Sequence, residues 1–184
     1  MIVSSTMKRR DILATFAGAA VPGSAQTSSF ALQFRDGFLK HWEVERGYTL
    51  AVAESMPAEH YNFKPNPVQR SFGEQLIHLA AANTAYFSAF GLIPMPERVI
   101  AADKETVPRY LNSSWDYTIQ VLRKLTEKDI LRNDLGTPRF KAHTGSDLFL
   151  RAYAHTAHHR GQAIVYLRIK DITPPTWAFE PTAG

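Results

Sequence analysis

Ser71-Phe72-Gly73-Glu74-Gln75-Leu76-Ile77-His78-Leu79 is the clearest helix start in the chain, and the fold is read outward from it. The Ser71 hydroxyl can accept from the amide three residues on while Glu74 reaches back, the reciprocal pattern of a capping box. Leu76, Ile77, Leu79, Ala80, Tyr86 and Phe87 then supply apolar positions at helical spacing, and Gly91, Pro94 and Pro96 stop the segment. Three other stretches share the period. Over residues 28–56, Phe30, Phe34, Phe38 and Trp42 recur every four residues, and Tyr48 and Val52 continue the face until Pro57. A linker with Pro65 and Pro67 follows. Over residues 104–125, Leu111, Trp115, Thr118, Leu122 and Leu125 form one stripe, with a short turn from Thr126 through Ile130. Residues 132–145, with Gly136, Pro138 and Gly145, read as irregular. The last helix covers residues 146–169, with Leu148, Tyr153, Ile164, Val165 and Leu167 apolar and Asp171, Pro174 and Pro175 closing it. No useful two-residue alternation is found, so the prediction is all-α, a four-helix bundle.

The chain has 184 residues, enough for one domain with a sizeable core. It is 45% apolar, 21% charged and 11% aromatic, the balance of a soluble globular protein. The formal charge is +4, but residues 1–25 hold Lys8, Arg9, Arg10 and Asp11, a net +2, so the remainder carries only +2. No basic run or stripe remains, and nucleic acid is excluded as a partner. There is no cysteine, which removes disulfides, thiolate catalysis, iron–sulfur clusters and cysteine zinc sites. Histidine is more informative: the chain has seven, three of them within residues 155–159.

Residues 1–25 read as a leader. Lys8-Arg9-Arg10 precedes a mildly apolar stretch, Ile12 to Val21, and Pro22-Gly23-Ser24-Ala25 offers small residues for cleavage after Ala25. The Arg9-Arg10 pair with Ile12-Leu13 is similar to a twin-arginine export signal, with Met7 as an alternative start. The stretch falls short of the about 20 apolar residues of a membrane span, so no stable membrane insertion is expected. The expectation is a signal peptide over 1–25 and a single helical-bundle metal-binding domain over 26–184, periplasmic or secreted after cleavage. If the leader reading fails, the protein is cytoplasmic.

Tyr153-Ala154-His155-Thr156-Ala157-His158-His159-Arg160-Gly161-Gln162 carries the strongest chemical signal. Residues four apart on a helix lie one above the other, so the imidazoles of His155 and His159 can converge on one ion, while His158 cannot share a face with both. On spacing alone this pair fits ligands and a solvated helix face equally well. His78, among Ile77, Leu79 and Ala80, is the best third candidate; taken singly it also fits a core histidine bonded to a nearby polar group. Glu74, four residues before His78, reads first as the capping residue and second as a general base. Gln162, three after His159, is placed to reach the open site or a ligand nitrogen, and Arg160 reads as a structural ion-pair partner. His41, His60 and His143 show no partner pattern and read as surface or loop histidines.

Residues 30–177 resemble the DinB/YfiT-like family of metal-binding four-helix bundles. The resemblance rests on Ser71 to Leu79, on His155-Thr156-Ala157-His158-His159-Arg160-Gly161-Gln162, on Tyr166-Leu167-Arg168 and on Pro174-Pro175. It implies a three-histidine site of His78, His155 and His159 filled by zinc or nickel, and a homodimer. Arg151 stands where members often carry a further histidine, which implies a cation near the site and an altered substrate preference. Three neutral imidazoles leave an ion its full charge and an open position, as in catalytic zinc sites. The expected function is a divalent-metal-dependent hydrolase acting on a small molecule with a metal-bound water, Glu74 and Gln162 assisting. The alternatives are a non-catalytic metal-binding or stress protein, or a thiol-dependent S-transferase if the chain is cytoplasmic. Unperturbed histidines titrate near 6.5, so acid is expected to displace the metal below about pH 6.

Overall fold

The computed structural model describes residues 29–137 and 140–177. The leader reading over 1–25 lies outside these residues. In chain order the elements are α1 (Phe30–Ser55), a 3-10 turn (Ala58–His60), α2 (Phe72–Ser88), α3 (Thr106–Lys124), α4 (Glu127–Ile130), β1 (Leu135–Thr137), β2 (Phe140–His143) and α5 (Gly145–Ile169). The four long helices form a ring in which α2 packs on α3 and α5, and α1 closes the other side against the same two. Among the described residues no helix is long and apolar enough to cross a membrane.

All the α-helices but α3 start on a side-chain N-cap. Ser29 accepts from the Leu32 amide and Thr144 from the Asp147 amide. At α3, Asp103 Oδ1 accepts from Thr106 N at 2.7 Å, so the helix starts just after the predicted 104. Asp171 takes the left-handed conformation (φ 57°) beyond the end of α5, which an aspartate tolerates better than most residues.

The core is aromatic. Phe38, Trp42, Phe87, Trp115 and Phe149 stack or tilt against one another across α1, α2, α3 and α5, the Trp42 and Trp115 rings 5.4 Å apart. Both indoles are buried and satisfied: Trp42 Nε1 donates to Thr118 Oγ1 and Trp115 Nε1 to the Trp42 carbonyl. The predicted α3 stripe of Leu111, Trp115, Thr118, Leu122 and Leu125 is wholly buried. Of the other predicted apolar positions, Phe34, Tyr86, Tyr153 and Ile164 are partly buried, and two are exposed: Phe30, the first residue of α1, at 82%, and Val165 on α5.

Residues 132–145, read as irregular, contain a two-stranded antiparallel ribbon with Leu135 opposite His143 and Thr137 opposite Phe140. Strands of three and four residues are too short to display an alternation, and their pairing with each other makes them.

One packing detail fixes the start of α2. A Cβ on Gly73 would lie 2.0 Å from the carbonyl oxygen of Ala102, so only glycine fits. The Gly73 amide donates to the Tyr61 carbonyl at 2.9 Å and the Phe72 amide to the Phe63 carbonyl at 3.1 Å. The first turn of α2 is therefore clamped between the linker after α1 and the segment before α3, and His78 stands a little over one turn further along.

Candidate metal centre

His78 on α2 and His155 and His159 on α5 come together, with one nitrogen from each ring lying within 4.8 Å of the other two. His78 Nε2 lies 3.3 Å from His155 Nε2. Two nitrogens each about 2.0–2.1 Å from one ion at the tetrahedral angle lie about 3.3–3.4 Å apart, so this spacing suits a shared ion. His155 Nδ1 is buried and has no hydrogen-bond partner. Its Nε2 faces another imidazole nitrogen, a contact that one of the two rings must bridge with a proton. A cation held between the facing nitrogens would take the place of that proton. No carboxylate belongs to the group, and three imidazoles form a donor set suited to zinc or nickel.

Burial holds two of these rings neutral. Desolvation, reinforced by the neighbouring imidazoles and Arg70, lowers the pKa of His155 to about 4 and that of His159 to about 3. Neutral imidazole is the ligating form.

The chain around His159 was only half legible in the sequence. Gln75, buried at 2% exposure, places Nε2 2.9 Å from His159 Nδ1 and also bonds Gln162 Oε1. Gln162 in turn lies 2.7 Å from His158 Nε2. The four side chains thus form a hydrogen-bonded row, His159–Gln75–Gln162–His158, from the buried cluster to the surface. Both contacts of Gln75 fall on one end of its amide, so Nε2 donates to both neighbours or, with the amide turned over, Oε1 accepts from both. With Gln75 Oε1 accepting from His159 Nδ1–H, the lone pair of His159 Nε2 is free for an ion. Gln162 therefore takes part through a ligand's hydrogen-bond partner. Gln75 was missed, though its position three before His78 and its place in an apolar run were the signals available. We predict that Gln75→Leu weakens zinc binding by about 10–100-fold while Gln75→Glu, which still accepts from Nδ1–H, retains it. Chelator competition measures this, and equal affinities for wild type and Gln75→Leu would remove Gln75 from the site.

Other predicted residues fall as follows. Glu74 completes the capping box: Oε2 accepts from Ser71 N at 2.7 Å, and Ser71 Oγ accepts from Glu74 N. The Ser71 amide, and after it Lys64 at 3.0 Å, hold its carboxyl below the ordinary range, which makes it a weak proton acceptor. His158 is exposed and stands outside the cluster. Arg160 forms the expected ion pair, with Glu45 of α1, and both are buried. Arg151 pairs with Asp147 on its own helix. His143, read as lacking a partner pattern, lies 2.8 Å from Asp147, a contact that β2 creates by setting it beside the first turn of α5.

A cleft of about 440 Å³ opens against His78, lined also by Lys64, Arg70, Glu74 and Arg98. One turn further along, Asn83 and Thr156 bond each other inside the α2–α5 seam.

The comparisons with known proteins agree with this architecture. The sequence profile of the DinB superfamily matches residues 41–163. The YjoA protein of Bacillus subtilis (strain 168) is 27% identical over 137 residues, spanning 71% of this chain and 86% of YjoA. The crystal structure of a DinB-like protein from Bacillus cereus ATCC 10987 superposes with a TM-score of 0.69 at 22% identity, covering 78% of this chain and 97% of that one. The crystal structure of B. subtilis YjoA, described as DinB-like, gives 0.65 at 21% identity, covering 78% and 99%.

Proposed function

Because the chain belongs to the DinB superfamily, we propose that His78, His155 and His159 hold one divalent ion, zinc or nickel, and that the protein is a metal-dependent hydrolase of a small molecule. The observation that carries this reading is the convergence of three imidazoles, without a carboxylate, beside an open cleft. An ion bound there supplies Lewis acidity and activates water near neutral pH. The protein's own residues do the rest. Gln75 orients His159, and Gln162 braces Gln75. Glu74 stays ionised and keeps Lys64 at the cleft wall, which is a more fitting task for a weak base than proton abstraction. His159 is buried and His78 and His155 are half-buried, which limits the access of bulk water to the cluster.

The cleft favours an enzyme over a metal carrier, because a carrier needs no substrate-sized cavity with convergent polar groups. The test is metal analysis of protein made without a histidine tag, then a screen of ester, amide and phosphoester substrates before and after chelation. The expected result is about one ion per chain, with turnover lost to chelator and restored by zinc or nickel. Stoichiometric metal with turnover only when a thiol is supplied would replace hydrolysis with thiol transfer, and metal without any turnover would leave the carrier.

The pKa values shift the acid expectation downward. With His155 at about 4 and His159 at about 3, protons compete for these two ligands of the folded protein well below pH 6. We therefore predict that these two ligands impose no affinity loss between pH 7 and about 5, and that the loss steepens towards pH 4. For the metal-free protein the sign is the same. The unfolded chain binds protons at these two residues from about pH 6.5 downward and the folded chain does not, so stability falls with pH from there through about 4 and 3. Zinc affinity and far-UV circular dichroism followed together would check both; an affinity that already collapses near pH 6.5 with the helices intact contradicts the burial argument.

A further inference from the structure

We propose that the cleft beside His78 is an oxyanion subsite, in which Arg70 and Arg98 hold a carboxylate or phosphate group of the substrate while its reacting end lies at the three histidines. The proposal rests on the reading of those histidines as a catalytic metal site. It starts from how arginine is used elsewhere in this molecule. Ten arginines are described, and seven sit within ion-pair distance of a carboxylate: Arg35, Arg46, Arg109, Arg123, Arg132, Arg151 and Arg160. Arg70, Arg98 and Arg168 have no carboxylate at that distance among the described residues, and the first two line one cleft. The third cation of that cleft, Lys64, is already matched by Glu74 at 3.0 Å. Two uncompensated guanidiniums therefore face the same space, and Arg70 is close enough to act electrostatically on both His155 and His159.

A guanidinium presents a planar fork of donors that fits carboxylate and phosphate oxygens, and a concave wall strengthens its field relative to a flat surface. A divalent ion on three neutral imidazoles would add further positive charge, so the filled site favours an anion more strongly still. The same cleft carries Val68 and Ile100, 91% and 83% exposed, which offer apolar surface beside the two guanidiniums. The ligand that matches both features has an oxyanion at one end and an apolar body. At about 440 Å³ the cleft accommodates a small molecule of that kind.

The experiment titrates benzoate, phenylphosphonate and, as neutral control, benzyl alcohol into the full chain by calorimetry, with and without bound zinc. Benzoate and phenylphosphonate separate a carboxylate preference from a phosphate preference. The expected result is saturable binding of one or both anions and none of the alcohol. Arg70→Gln and Arg98→Gln should each weaken that binding about tenfold, and Arg168→Gln should leave it unchanged. All three side chains are exposed, so the variants should fold as wild type. Arginine-dependent binding in a protein that fails to take up zinc would uphold the subsite and sink only the metal reading. Anion binding that requires zinc and ignores both arginines would overturn the subsite and leave the metal reading standing. Absence of anion binding in both forms, or equal binding of the alcohol, would also overturn it.

Discussion

Alanine at His78, His155 or His159 is expected to abolish stoichiometric zinc binding, and alanine at His158 to leave it intact. The three ligand candidates each bring one nitrogen to a common point, and His158 does not. With three protein ligands, losing one leaves two, which seldom hold an ion firmly in water. The contrast between adjacent residues is the sharp part of the test, because His158 and His159 differ by about 100° around α5. Equilibrium dialysis with metal analysis reads the result, and circular dichroism checks that each variant keeps its helices. Retention of zinc by His159→Ala together with its loss in His158→Ala would mean that α5 presents a different face to α2.

The largest effect on stability is expected one residue further along. Arg160 and Glu45 are 5% and 2% exposed, bonded through both guanidinium nitrogens, with Tyr48 under the guanidinium at 4.5 Å and Thr49 Oγ1 at 3.4 Å. Removing one member of a buried pair leaves an uncompensated charge and costs about 3–5 kcal/mol. For a domain of this size that lowers Tm on the order of 10 °C. Glu45→Met should cost more than Arg160→Met, because a stranded carboxyl can take up a proton whereas a guanidinium cannot shed one. Glu45→Met with Arg160→Met should recover most of the loss, since apolar groups of similar volume replace both charges. Urea unfolding in chelator measures all three without a metal contribution. A single substitution that costs under about 1 kcal/mol would show that water reaches the pair.

The parts of this molecule that are local were legible in the sequence. The capping box at Ser71 and Glu74, the α3 stripe and the four-residue spacing of His155 and His159 depend on neighbours within one or two turns, and the structure has them where the sequence puts them. His78 could be nominated from its apolar surroundings, but its approach to His155 is a property of helix packing. Gln75 was overlooked because Glu74, next to it, offered a more obvious role. The arginines of the cleft could not be found at all: Arg70 closes one linker and Arg98 lies in another, and nothing in either segment announces that α2 brings them to one wall. The ribbon of β1 and β2 escaped for a related reason, since its order comes from cross-strand pairing and not from a pattern along either strand.

His78 and His155 are 77 residues apart in the chain, and their helices meet only along one seam. An ion held by both acts as a removable tie across that span. A permanent bond closing a loop of this length withholds roughly 4 kcal/mol of chain entropy from the unfolded state, and a metal at about a thousandfold over its dissociation constant stabilises the fold by a similar amount. With such an ion bound, the protein's resistance to unfolding would be set in part by metal supply. With the tie in place, the amides of α2 and α5 should exchange with solvent as one unit; with it removed, Asn83 with Thr156, Gln75 with Gln162 and His159, and the stacking of Phe87 on Phe149 still join the two helices, so protection should fall first around the cluster itself.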